Sequence, residues 1–136
     1  MPLPIRKIYM TPRDRAHVEW LMLFCDLFSA AERTRIRRLY YEASRGRVVR
    51  AAQIPSNVVT TNSRIRLKEK GSDAELDLVL VFPDDADDAL GRVSILTPIG
   101  AALFGRQVDD LVECPTSKGI RQFIIQQSTY LPWQTG

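Results

Sequence analysis

The chain is poor in the residues from which most catalytic sites are built. It has one histidine, His17, and two cysteines, Cys25 and Cys114, among 136 residues. One histidine in the first turns of a predicted helix, without a serine and carboxylate partner, gives no nucleophilic triad. Two cysteines without CxxC spacing or a Cys/His cluster give no zinc site. In a reducing compartment they stand as free thiols, one on a helix face and one near a strand end. Neither a GxGxxG loop nor a P-loop is present. Long hydrophobic runs are missing too. The longest, Trp20 to Cys25, stops at Asp26, far short of the ~20 residues of a membrane span. The start, Met1-Pro2-Leu3-Pro4-Ile5-Arg6-Lys7, lacks the apolar core of a secretory signal. The expectation is a cytoplasmic protein without membrane contact, enzymatic activity, metal or cofactor.

What is present is an ordinary globular composition, 45% hydrophobic and 26% charged. The charge is split. Residues 1–50 carry eleven Lys/Arg against five Asp/Glu, and residues 51–136 carry eight against eleven. This suggests two units, a helical one over 1–52 and a sheet domain over 53–136. The basic part reads as a solvated helix face, because it lacks the Gly/aromatic interleaving of an RNA binder.

The stretch around which the second unit is organised is Arg92–Gly105. Val93 to Leu96 is a short apolar run. Thr97 can cap a helix, and Pro98 fits its first position, where a missing N–H costs nothing. Ile99, Leu103 and Phe104 form one apolar face, and Gly105 ends the turn. So short a helix cannot stand alone in water and must lie across a sheet.

Upstream, Thr11-Pro12 starts a helix expected to reach about Phe28. Val18, Leu21, Met22, Cys25 and Phe28 follow helical spacing. Leu23, Phe24 and Leu27 add a second strip, more than one partner helix needs. Ser29-Ala30-Ala31-Glu32 is a capping box. A second helix should follow to about Ser44, with Ile36, Leu39, Tyr40 and Ala43 as its stripe and Gly46 at its end. The two helices form a short antiparallel hairpin, each arm roughly 25 Å long. After a linker at Gln53–Asn57 come β-prone Val58–Thr61, an alternating strand over Ser63–Lys68, a turn at Gly71–Asp73 and a buried strand over Leu76–Phe82. Strands are also expected over Val93–Leu96, Val108–Cys114 and Ile120–Thr129, with residues 1–10 extended and Leu131-Pro132-Trp133 closing the chain. The fold class is α+β, a helical hairpin followed by a five-stranded, mostly antiparallel sheet with one short helix.

Two acidic features invite a functional reading. Asp84, Asp85, Asp87 and Asp88 lie in a loop without EF-hand spacing; they form either a solvated loop or a patch for a basic partner. Asp26 and Glu32 flank the hairpin tip beside Ser29. Carboxylates on a helical arm can deliver a metal ion to a partner's active site, but Glu32 already has a role in the capping box.

Several ordered motifs resemble the bacterial "regulator of nucleoside diphosphate kinase" proteins. They are Ile54-Pro55-Ser56-Asn57-Val58-Val59-Thr60-Thr61-Asn62-Ser63-Arg64-Ile65, Leu80-Val81-Phe82-Pro83, Val93 through Gly105, and Val108-Asp109-Asp110. The resemblance covers about residues 54–130. The same half is similar to the FKBP-like C-terminal domain of the Gre transcript-cleavage factors. The resemblance implies binding to bacterial RNA polymerase near its secondary channel, with nucleic acid touched only through the polymerase. It makes Thr97, Pro98, Ile99, Asp84 and Asp85 the candidate polymerase contacts, and Asp26, Ser29 and Glu32 the candidate tip. The hairpin is shorter than a Gre coiled coil and lacks its tip pattern. The expectation is therefore a monomeric, non-enzymatic regulator; the alternative is a cleavage-stimulating factor using the tip acids. FKBP likeness does not imply prolyl isomerisation.

Overall fold

The computed structural model describes residues 6–131. The extended segment expected over residues 1–5 and the closing Pro132-Trp133 lie outside the described residues. In order, the elements are β1 (Tyr9–Met10), α1 (Pro12–Leu23), α2 (Ala30–Ser44), β2 (Arg47–Val48), β3 (Ser63–Glu69), β4 (Glu75–Val81), β5 (Arg92–Ser94), α3 (Pro98–Leu103), β6 (Leu111–Thr116) and β7 (Gly119–Tyr130). Among the described residues no helix is long and apolar enough to cross a membrane.

The five larger strands form one sheet in the order β5-β4-β3-β7-β6. Every pairing is antiparallel except β4 with β5. The exception follows from the connection: β4 leaves through two 3-10 turns, Pro83–Asp85 and Asp88–Leu90, and β5 returns alongside it in the same direction. A register shift between Arg66 and Leu67 breaks the β3–β7 ladder. Alternation sets the faces of β3: Ile65 and Leu67 are fully buried, while Arg64 and Arg66 are exposed.

The hairpin forms with changes at its turns. Val18 and Leu21 of α1 and Ile36, Leu39 and Ala43 of α2 are buried, with Met22, Cys25 and Phe28 packed against them. α1 ends at Leu23 instead of Phe28, because the chain must reverse before Ser29. Its last turn tightens into a 3-10 helix at Cys25–Leu27. Ser29 caps α2 as expected. Gly46 does not end α2 in a left-handed conformation. Its value lies in a close approach: a Cβ there would stand 2.8 Å from Ile8 Cβ, Cγ2 and backbone oxygen.

A strap, Arg6 to Met10, joins the two units. β1 pairs in parallel with β2, Lys7 N–H donates to Gly105 O at 2.9 Å, and Thr60 Oγ1 donates to Tyr9 O at 2.7 Å. Hairpin, strap and sheet share one hydrophobic cluster, running from Val18 and Ile36 through Met10 to Ile65, Leu80 and Ile125.

The polar run Thr60-Thr61-Asn62-Ser63 is not a strand until Ser63. Thr60, Thr61 and Ser63 are fully buried. Ser63 Oγ accepts from Thr60 N–H at 3.0 Å, and Thr61 Oγ1 donates to Asp14 Oδ2 at 2.8 Å. Asn62 turns the chain at φ 70°, a conformation asparagine tolerates better than β-branched residues. These hydroxyls satisfy the seam between hairpin and sheet, where unpaired polar groups would be costly. Likewise, residues 108–110 make a turn with Asp109 at φ 78°, so β6 begins only at Leu111.

Candidate functional site

The corner between β5 and α3 is tightly built. Thr97 Oγ1 donates to Ser94 O at 2.7 Å and accepts from Gly100 N–H at 3.1 Å. Pro98 is exposed in the first helical position, and Ile99 is half-buried. Gly100 sits against Ser94: a Cβ there would collide with the Ser94 carbonyl oxygen and stand 3.0 Å from Ile95 Cα. The far end of α3 is capped by Arg6, whose Nη1 donates to Ala101 O at 2.7 Å and Phe104 O at 3.2 Å. A cation there suits the negative end of a helix. From the hairpin, Arg35 Nη1 donates to Leu96 O at 3.1 Å. Pro98 thereby lines a cleft of about 360 Å³ between α2 and α3, together with Arg35, Leu39, Ile95, Ala102 and Pro115. Thr97 is occupied internally, so Pro98 and the exposed part of Ile99 are what the corner offers a partner.

The acidic loop faces a different element. Asp84 Oδ1 lies 3.2 Å from His17 Nε2 on α1, and the His17 ring stacks on Phe82 at 4.0 Å with 8° between planes. The lone histidine therefore latches the hairpin to the loop. Asp85 is exposed. Asp84 and Asp85 do not share the Pro98 cleft.

At the tip, Ser29 and Glu32 bond each other. Glu32 Oε1 accepts from Ser29 Oγ at 2.9 Å and from Ser29 N–H at 3.3 Å, and Ser29 Oγ accepts from Glu32 N–H at 3.2 Å. Asp26 is exposed and makes none of these bonds. Around these acids the surface is apolar. Leu23 is 77%, Leu27 79% and Trp20 50% exposed, and Trp20 and Phe24 pack ring to ring at 4.9 Å. This patch is the second apolar strip of the sequence, which helical periodicity could not place inside or outside. Among the described residues no cluster of three or more His, Cys, Asp or Glu could hold a metal ion.

The sequence model described as "Transcription elongation factor, GreA/GreB, C-term" matches residues 54–130. The chain belongs to the GreA/GreB family. Its Gre match begins at Ile54, in the segment before the buried hydroxyl seam, and ends at the last residue of β7. Transcription elongation factor GreA of Clostridium beijerinckii is 33% identical over 78 residues, 57% of this chain and 49% of that protein. GreA of Pelobacter propionicus is 30% identical over 96 residues, 71% of this chain and 61% of that protein. The chain thus spans about half to three-fifths of the length of these curated relatives. The solved GreA/GreB elongation factor of Nitrosomonas europaea is similar over 93% of this chain and 100% of that one, at 34% identity and TM-score 0.77. Gfh1 of Thermus aquaticus, at 17% identity and TM-score 0.52, shares the fold. The fold is that of a Gre factor with an FKBP-like C-terminal domain.

Proposed function

We propose that the chain is a regulator that binds bacterial RNA polymerase at or near its secondary channel and does not itself cleave transcript. Membership of the Gre family supports the partner, and the motif run supports the finer assignment to the nucleoside diphosphate kinase regulators. One observation carries the rest of the reading: Glu32 is held in its capping box, leaving Asp26 as a single exposed carboxylate. Catalytic Mg²⁺ chemistry needs several oxygen ligands placed together. In this reading the sheet domain docks through Pro98, Ile99 and the Asp84-Asp85 turn. The apolar tip of Trp20, Leu23, Phe24 and Leu27 covers the channel mouth, and nucleic acid is touched only through the polymerase.

The test is retention on immobilised core RNA polymerase at moderate salt, with a Gre factor in parallel. Retention and mutual competition are expected; loss of this chain while the Gre factor stays bound sinks the reading. In a stalled elongation complex, transcript shortening above background that disappears in Asp26→Ala would replace it with a cleavage-stimulating role.

A further inference from the structure

A groove at the base of the hairpin has no part in the polymerase reading. It measures about 790 Å³ and lies between the strap, the end of α2, β2 and Arg106. Six cationic side chains line it: Arg6, Lys7, Arg38, Arg45, Arg47 and Arg106. Glu42 is the one carboxylate in the lining. Its side chain is only 17% exposed and is held by Arg38 at 3.0 Å and Arg6 at 3.7 Å. Lys7, Arg45 and Arg47 therefore face the groove with no carboxylate partner among the described residues. Tyr9 and Tyr41 also line it. Tyr41 is 60% exposed. The Arg45 guanidinium lies 5.5 Å from its ring centroid and Nη1 donates to the Tyr41 hydroxyl at 3.1 Å, which holds the ring as a platform.

Concentrated positive charge in a concavity draws a compact polyanion, and guanidinium groups bind phosphate through charge-assisted hydrogen bonds. An exposed ring beside an arginine stacks a nucleobase. The volume falls within the roughly 300–1,000 Å³ of small-ligand sites. We propose that this groove binds a nucleoside polyphosphate, with its phosphates on Lys7, Arg45 and Arg47 and its base on Tyr41. An extended nucleic acid strand is less well served. Arg33 and Arg35 of α2 turn inward, donating to Phe28 O at 2.7 Å and Leu96 O at 3.1 Å. The cations thus converge at one end of the helix instead of tracking along it. This inference does not rest on polymerase binding.

The experiment is titration calorimetry of the full chain at roughly 100 mM salt, an ionic strength that screens loose surface attraction beyond about 10 Å. The probes are ATP, AMP, tripolyphosphate and single-stranded RNA oligonucleotides of graded length. ATP should bind about tenfold more tightly than AMP. Arg47→Glu should weaken ATP by about tenfold or more, with Lys7→Glu as a second variant should the first unfold. Tyr41→Ala should weaken ATP and leave tripolyphosphate unchanged. Arg37→Glu makes the same charge change on α2 outside the groove and should stay within about twofold. No ATP binding at millimolar concentration, equal damage from Arg37→Glu, or RNA affinity that rises with length beyond that of ATP would each overturn the proposal.

Discussion

Asp14 is 5% exposed on the hairpin side of the hydroxyl seam. Burial pushes its carboxyl above the usual aspartate range, and the hydroxyls of Thr61 and Thr11 only partly oppose this. An acid raised in the folded state binds protons more tightly there than in the unfolded chain. Its contribution to stability therefore falls as pH rises through the window between the two values. Above that window the full desolvation cost is present. Asp14→Asn keeps an acceptor for Thr61 and removes the charge. It should be at least as stable as the parent at pH 7, with the difference shrinking as pH falls toward about 4, the ordinary aspartate value. Urea unfolding across pH 4 to 8 checks this; an asparagine variant markedly less stable at pH 7 would show that the ionised form is held favourably. Gly100 gives a second prediction at this scale. Alanine is ordinarily the better helix residue, but here its Cβ meets the Ser94 backbone, which cannot step aside. Gly100→Ala should cost about 2–4 kcal/mol by thermal unfolding.

At the scale of elements, the hairpin tip lets the capping box and the exposed apolar patch be tested separately. Glu32→Ala removes one side of the capping box and should cost about 1 kcal/mol, measured by urea unfolding. Leu23→Ser with Leu27→Ser removes apolar groups that are almost fully in water. That pair should leave stability within about 0.5 kcal/mol and reduce retention on core RNA polymerase. An unchanged retention would move the contact away from the tip. The elements were legible in the sequence where one local rule decides them. Thr97-Pro98 and Ser29 through Glu32 are such cases, because a cap and its helix lie within four residues. The strands of alternating residues were legible for the same reason. The β1–β2 pair was not, since two residues carry no period and pair across a gap of nearly forty. Nor was the buried seam: Thr60 and Thr61 look β-prone, and only a distant Asp14 and Tyr9 make them a polar joint. The exposure of Leu23 and Leu27 depended on where the second helix and the sheet stop, which spacing within one helix does not record.

At the scale of the molecule, hairpin and sheet share one cluster, and the strap adds backbone links to the side-chain contacts of Asp14, His17 and Arg35 between them. Deleting residues 1–8 should remove the Arg6 cap on α3, the Lys7 bond to Gly105 and the Ile8 bond to Arg47 together. Buried Ile8 alone contributes about 1.5–3 kcal/mol, so the truncated chain should unfold at markedly lower urea, with hairpin and sheet losing cooperativity. Coincident fluorescence and circular-dichroism transitions in the truncated chain would argue against the strap as the joint.

The same strap sets an order of events during synthesis. Lys7 takes its backbone partner from Gly105, almost a hundred residues downstream. α1 and α2 have everything they need for their own turns once residue 48 has emerged. The surface they will rest on, and the carbonyl groups of Ala101 and Phe104 that Arg6 will cap, have not yet emerged. The strap, made well before the sheet, is thus among the last segments to be fastened, and the hairpin must wait with its inner face uncovered. Closing so distant a contact is slow relative to helix formation, which makes that interval the time when this chain is most open to proteases and to other chains.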